Sequence, residues 1–257
     1  MKRILHISLM ILFVLAVSAL MGFIVYEHGR QNIKDVKIVI SGSENAGFLN
    51  EDVIMDIVLS ADSIETKMIR NLKMRQLEDF ISSNPYVDRV DAYLGIDRDL
   101  IINVHEREAI VRVFLPGNKS YYIDRNGYLF PLCSCYSPRT LIANGYIRVQ
   151  IPKPPGNVND SIFNGTQLPE LYRLARVLQS NPFLHSLISQ IYINSKGEYD
   201  LIPELGRQTI QLGNLANLDE KLRNLEAFYR KKIPEEGWDK YETINLMYKN
   251  QIVCKKK

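Results

Sequence analysis

The chain has 257 residues, enough for more than one domain. A hydrophobic fraction of 46% and a charged fraction of 24% are those of a folded protein and exclude a disordered one. The formal net charge is only +3, with no concentrated basic stripe in the middle of the sequence, so nothing here points to nucleic acid.

Residues 4–26 read ILHISLMILFVLAVSALMGFIVY and contain no Lys, Arg, Asp or Glu. That length predicts a transmembrane helix. Lys2 and Arg3 precede it, so residues 1–3 are expected in the cytoplasm and the bulk of the chain outside, after a linker at 27–34. The competing reading is a cleaved signal peptide, with Val17-Ser18-Ala19 as a small-residue site. The apolar run continues past that site, which favours an anchor.

Between 35 and 108 the pattern predicts strand, helix, helix, strand, strand. VKIVISG places Val36, Ile38 and Ile40 on one strand face. Asn50 can cap a helix bearing Val53, Ile54, Ile57 and Val58. A second helix through Met74, Leu77, Phe80 and Ile81 stops at Asn84-Pro85, because the residue before proline disfavours helix. Strands at 87–94 and 100–106 follow, the second with Leu100, Ile102 and Val104 on one face. Glu106 and Arg107 are expected to be an exposed charged pair.

From 109 to 253 a second, mostly β domain is expected, with 254–257 as a basic tail. Short strands are predicted at 110–114, 121–124 and 128–130, with Asp124-Arg125-Asn126-Gly127 as a type I′ turn. Residues 151–167, rich in Pro, Gly and Asn, read as a loop. A helix from Pro169 buries Leu171, Leu174, Ala175 and Leu178 and ends at Asn181-Pro182. Strands follow at 189–194, 199–202 and 209–212. A helix capped by Asn217 then presents Leu218, Leu222, Leu225 and Tyr229. The last strand, at 243–253, alternates Ile244, Leu246 and Tyr248 inward with Asn245, Met247 and Lys249 outward. Cys133, Cys135 and Cys254 form no C-x-x-C pair and are expected to be buried small hydrophobes.

The order of the first domain is that of a POTRA module. VKIVISG, NPYVDRV and LIINVHERE, followed by YYIDRNGYLF and the terminal TINLMYKNQIV, together resemble the FtsQ/DivIB family of bacterial cell division proteins. The match lies in Gly42, Pro85-Tyr86-Val87, Glu106-Arg107 and Asn245-Leu246-Met247-Tyr248, in that order. Two departures stand out: Glu108-Ala109 where the family often has proline, and Met247 where it has arginine. The resemblance implies an α+β chain: a transmembrane helix, a POTRA module, then a β domain ending in a helix and strand. It also implies a single-pass protein of the inner membrane with its bulk in the periplasm, at the division septum. The implied partners are FtsB- and FtsL-like proteins, bound through Leu246, Tyr248, Lys249, Asn250, Gln251, Ile252 and Val253.

The residues themselves are compatible with that role. An open sheet edge offers unpaired backbone groups to which a partner can add a strand. No G-x-S-x-G elbow, H-E-x-x-H or P-loop is present, and His6, His28, His105 and His185 are scattered. Glu106 and Glu108 have the alternate-strand spacing of a carboxylate pair, the one acid–base candidate. No catalysis, cofactor, metal or small-molecule substrate is expected. The alternative reading is a POTRA-bearing chaperone or transport component that binds client polypeptides by the same strand addition.

Overall fold

The computed structural model describes residues 2–30, 32–42, 47–60, 69, 72–249 and 251–257, with the side chains of 2–8, 25 and 27–30 outside the description. Residues Lys2–Arg30 form helix α1. Its described side chains are exposed all round, Leu9 by 64%, Phe13 by 69% and Phe23 by 64%. The expected span at 4–26 is corrected in one respect. The helix is there, but among the described residues no helix is long and apolar enough to cross a membrane.

The chain forms two compact units: residues 2–42 with 49–106, and residues 47–48 with 107–257. The first contains β1 (Asp35–Ser41), α2 (Glu51–Ser60), α3 (Met74–Ser82), β2 (Val87–Leu94) and β3 (Asp99–Glu106). Its sheet order is β1-β3-β2, with β1 parallel and β2 antiparallel to β3. Asn50 caps α2 as expected, its Oδ1 accepting from the Val53 amide at 2.8 Å. Ile54 and Val58 of α2 and Leu77 and Ile81 of α3 pack on Leu100, Ile102 and Val104. Phe80 instead turns outward, 44% exposed.

The second unit contains β4 (Ala109–Leu115), β5 (Lys119–Asp124), β6 (Leu129–Pro131), β7 (Leu141–Gly145), α4 (Leu168–Ser180) and α5 (Pro182–Leu187). Then come β8 (Ile188–Ile193), β9 (Tyr199–Pro203), β10 (Thr209–Gly213), α6 (Leu218–Lys231), α7 (Ile233–Glu236), β11 (Tyr241–Asn245) and β12 (Val253–Lys256). Among the described residues the strands of this unit form one sheet in the order β12-β11-β10-β9-β8-β7-β4-β5-β6. Parallel neighbours need a crossover, and helices supply two of them. The segment with α4 and α5 carries β7 to β8, and α6 with α7 carries β10 to β11. The predicted stripes Leu171, Leu174, Ala175, Leu178 and Leu218, Leu222, Leu225, Tyr229 are all buried in one core.

Several expectations fail for identifiable reasons. β7 was not foreseen, yet it sits in the middle of the sheet, parallel to both β4 and β8. Asn181 does end α4, but its Oδ1 also accepts from the amides of Phe183 and Leu184 and so starts α5. Asn217 caps nothing with its side chain: it adopts a left-handed backbone at φ 53°. The turn after β5 is not type I′, because Gly127 has a positive φ of 88° while Asn126 does not. Asp124 Oδ1 instead accepts from the amides of Asn126 and Tyr128, each at 2.8 Å, and draws the turn around a carboxylate. Cys133 and Cys135 are not buried hydrophobes: they are bonded to each other at the surface.

Glu106 and Arg107 are not an exposed pair either. Glu106 is 7% exposed, with its Oε2 accepting from the Leu49 amide at 3.3 Å. Arg107 donates to Asp124 at 2.5 Å, and the Asp124 side chain is only 2% exposed. Burial pushes the Asp124 carboxyl up; the Arg107 bond and the two amide donors pull it back. Nor do Glu106 and Glu108 form an acid–base pair, since Glu108 is taken by Arg125 at 2.8 Å.

Candidate functional site

The candidate partner site is built where α6, β11 and β12 meet. β11 runs parallel to β10 from Thr209↔Thr243 to Gln211↔Asn245. There the ladder ends. Asn245 Nδ2 donates to Gln211 Oε1 at 3.0 Å, and its Oδ1 accepts from the Met247 amide at 2.8 Å. This local side-chain bond offers the backbone an alternative to continuing the strand. The Leu246 amide makes one more bond, to the Gln211 carbonyl at 2.9 Å. The chain turns out at 247–249 and returns through 251–252 to β12, antiparallel to β11, with Val253 opposite Asn245 and Cys254 opposite Ile244.

A single strand at 243–253 is therefore corrected to two strands and a turn. Ile244 (0% exposed) and Leu246 (2%) point inward as expected. Tyr248 does not: it is 53% exposed in the turn, and Met247 is 46% exposed. Met247 lies against Gly213, where a β-carbon would come within 2.7 Å of its Cγ, and Gly213 holds a positive φ of 72°. A side chain there would meet both obstacles at once.

Of the predicted site residues, Lys249 and Gln251 are exposed, Ile252 is half-buried and Val253 is 44% exposed; Asn250 lies outside the described residues. The turn and the start of α6 enclose a shallow hollow of about 70 Å³. Leu246, Tyr248, Lys249, Gln251 and Ile252 line one side, and Asn217, Glu220, Lys221 and Asn224 the other. Sequence reasoning missed the α6 side altogether, because only the fold brings residues about thirty apart together. Lys221 is held there by the carbonyls of Leu212 at 2.8 Å and Asn214 at 2.7 Å, and burial lowers its pKa.

β12 is the end strand of the sheet order, so its outer side has no strand partner among the described residues. The residues expected to be a free tail from 254 are in fact this strand. Lys255 pairs with Glu242 at 2.6 Å and Lys257 with Asp239 at 3.5 Å, both at the surface. Cys254 is half-buried against the core, and burial raises its thiol pKa. Behind the strand, Tyr241 donates to Glu236, a bond that pushes the phenol up to about 12 and holds the carboxyl below its ordinary range. The site therefore has backbone donors and acceptors along an edge, flanking lysines and a small hollow, which suits strand addition.

The comparisons with known proteins fix the family. The model for the FtsQ/DivIB, C-terminal related domain matches residues 108–255, and that for the POTRA-like domain matches 31–105. The chain belongs to the FtsQ/DivIB family. No curated protein matches the sequence. The family match covers the nine-stranded sheet almost from end to end and includes β12, so the edge strand is part of the family domain. Membership makes this a cell division protein of mixed α and β structure, from a family of non-enzymatic scaffolds.

Proposed function

We propose that this protein is a divisome scaffold that takes FtsB- and FtsL-like partners onto β12 and the turn before it. The observation that carries the proposal is the position of β12 at an open sheet edge within the family domain. A partner strand laid along that edge gains main-chain hydrogen bonds, and the hollow beside Tyr248 takes one of its side chains. The exposed apolar exterior of α1 supports a place at the inner membrane, and the family supports one at the septum. In this reading the chain links cytoplasmic division proteins to wall synthesis and performs no chemistry itself.

The test is capture of FtsB- and FtsL-like proteins from membranes of the producing bacterium by the full-length chain in detergent. Deleting everything after 242 would be a poor control, since Ile244 and Leu246 are core residues. Tyr248→Ala with Lys255→Glu touches only exposed side chains. Loss of capture by this folded variant is expected. Undiminished capture, with circular dichroism unchanged, contradicts the proposal.

A further inference from the structure

A second groove of the same unit lies at the tip of the β4–β5 hairpin, against the segment that follows β7. It measures about 770 Å³, within the range of ligand-sized sites. The residues that line it include Lys119, Arg148 and Lys153 and no carboxylate. All three cations are exposed, and none is in an ion pair among the described residues. Other exposed cations, Arg173, Lys196 and Arg223 among them, also have no ion pair among the described residues; what sets these three apart is that they share one groove with no carboxylate in its lining. The floor between the three cations is apolar, with Tyr121, Val149 and Ile151 resting half-buried on the core.

We infer that this groove is a docking site for an acidic peptide segment of a partner protein, distinct from the β12 edge. Three features select that occupant. The unpaired positive rim asks for anions. An apolar floor asks for groups that leave water, which a phosphate polymer lacks, and a neutral glycan lacks the anions the rim asks for. The surface is also concave, so a flat lipid headgroup layer cannot follow it. An extended peptide meets all three demands, because successive side chains point to opposite sides. Apolar residues then lie on Tyr121, Val149 and Ile151 while the carboxylates between them reach the rim.

The experiment is fluorescence anisotropy with the full-length chain in detergent. The probes are two labelled octapeptides, one alternating Glu with Leu and one alternating Lys with Leu. The acidic probe binds and the basic one does not. Replacing Lys119, Arg148 or Lys153 singly with Ala weakens binding about two- to fivefold, as exposed ion pairs do. The triple variant loses tenfold or more, and raising the salt weakens the wild type toward the variant. Equal binding of the acidic probe by the wild type and the triple variant overturns the inference. So does equal binding of both probes, or sedimentation of the wild type, but not the triple variant, with anionic vesicles while the acidic peptide fails to compete. Variants at Tyr248 and Lys255, which serve the β12 proposal, leave this binding unchanged, so the two sites stand or fall separately.

Discussion

The nine-stranded sheet has two edges, and they are built in opposite ways. At one, β6 is three residues long and ends in Pro131, which cannot donate to a ladder. Phe130 is buried there among Phe48, Tyr122 and Tyr136, with ring centroids 5.1 to 5.7 Å apart across the cluster. The Arg107–Asp124 pair and the bonded Cys133–Cys135 lie in the adjoining turns. At the other edge, β12 presents Val253, Lys255 and Lys256 to solvent, and its stabilising contacts lie behind it. Short edges, prolines and covering groups are how proteins stop a sheet from recruiting strands. β6 has the proline and the cover; β12, although only four residues long and carrying the guarding charges of Lys255 and Lys256, has neither among the described residues, and it is the edge proposed to take a partner.

Changes at the closed edge therefore act on stability. Asp124→Ala takes a buried carboxylate partner from Arg107 and the acceptor from the turn, and costs about 3 kcal/mol. Phe130→Ala empties the aromatic cluster and costs about 3 kcal/mol. Denaturant unfolding of the full chain measures both; losses under 1 kcal/mol would mean that this edge is not the anchored one. Changes at the open edge act on binding. Asn245→Ala removes the bond that ends β11 and costs about 1 kcal/mol. Lys255→Glu shifts stability by no more than about 0.5 kcal/mol while weakening partner capture, because its pair with Glu242 is exposed.

Acid sharpens the contrast further. The bonds from Tyr241 and Lys240 hold the Glu236 carboxyl below its ordinary pKa of 4.5. A depressed carboxyl pKa contributes stability that is complete above the unfolded value and is lost as pH falls through the folded one. Protection from hydrogen exchange at the start of β11, taken relative to the intrinsic rate at each pH, is therefore expected to fall below about pH 4.5. Unchanged protection down to pH 3 would show that Glu236 does not hold that strand.

The same contrast governs what the sequence could disclose. The first unit was legible in full order, because its elements follow local periodicity and clear stops such as Asn84-Pro85. Helix α6 was legible for the same reason. The terminal strand was legible only as far as Leu246. Alternation would place Tyr248 inward if the strand ran straight, but Asn245 ends it through the Met247 amide, and a local side-chain bond leaves no periodic trace. The hollow's α6 side and the closure of β6 around Phe48 depend on contacts far apart in the chain, which no window of sequence contains. β7 is a five-residue strand between two irregular segments, too short for a pattern of its own.

The most direct test is hydrogen exchange on the full-length chain, read at both edges with and without the FtsB- and FtsL-like partners. The account predicts new protection across 246–256 on binding, with Leu129–Pro131 unchanged. Protection at Leu129–Pro131, or anywhere else, without protection at 246–256 would contradict it.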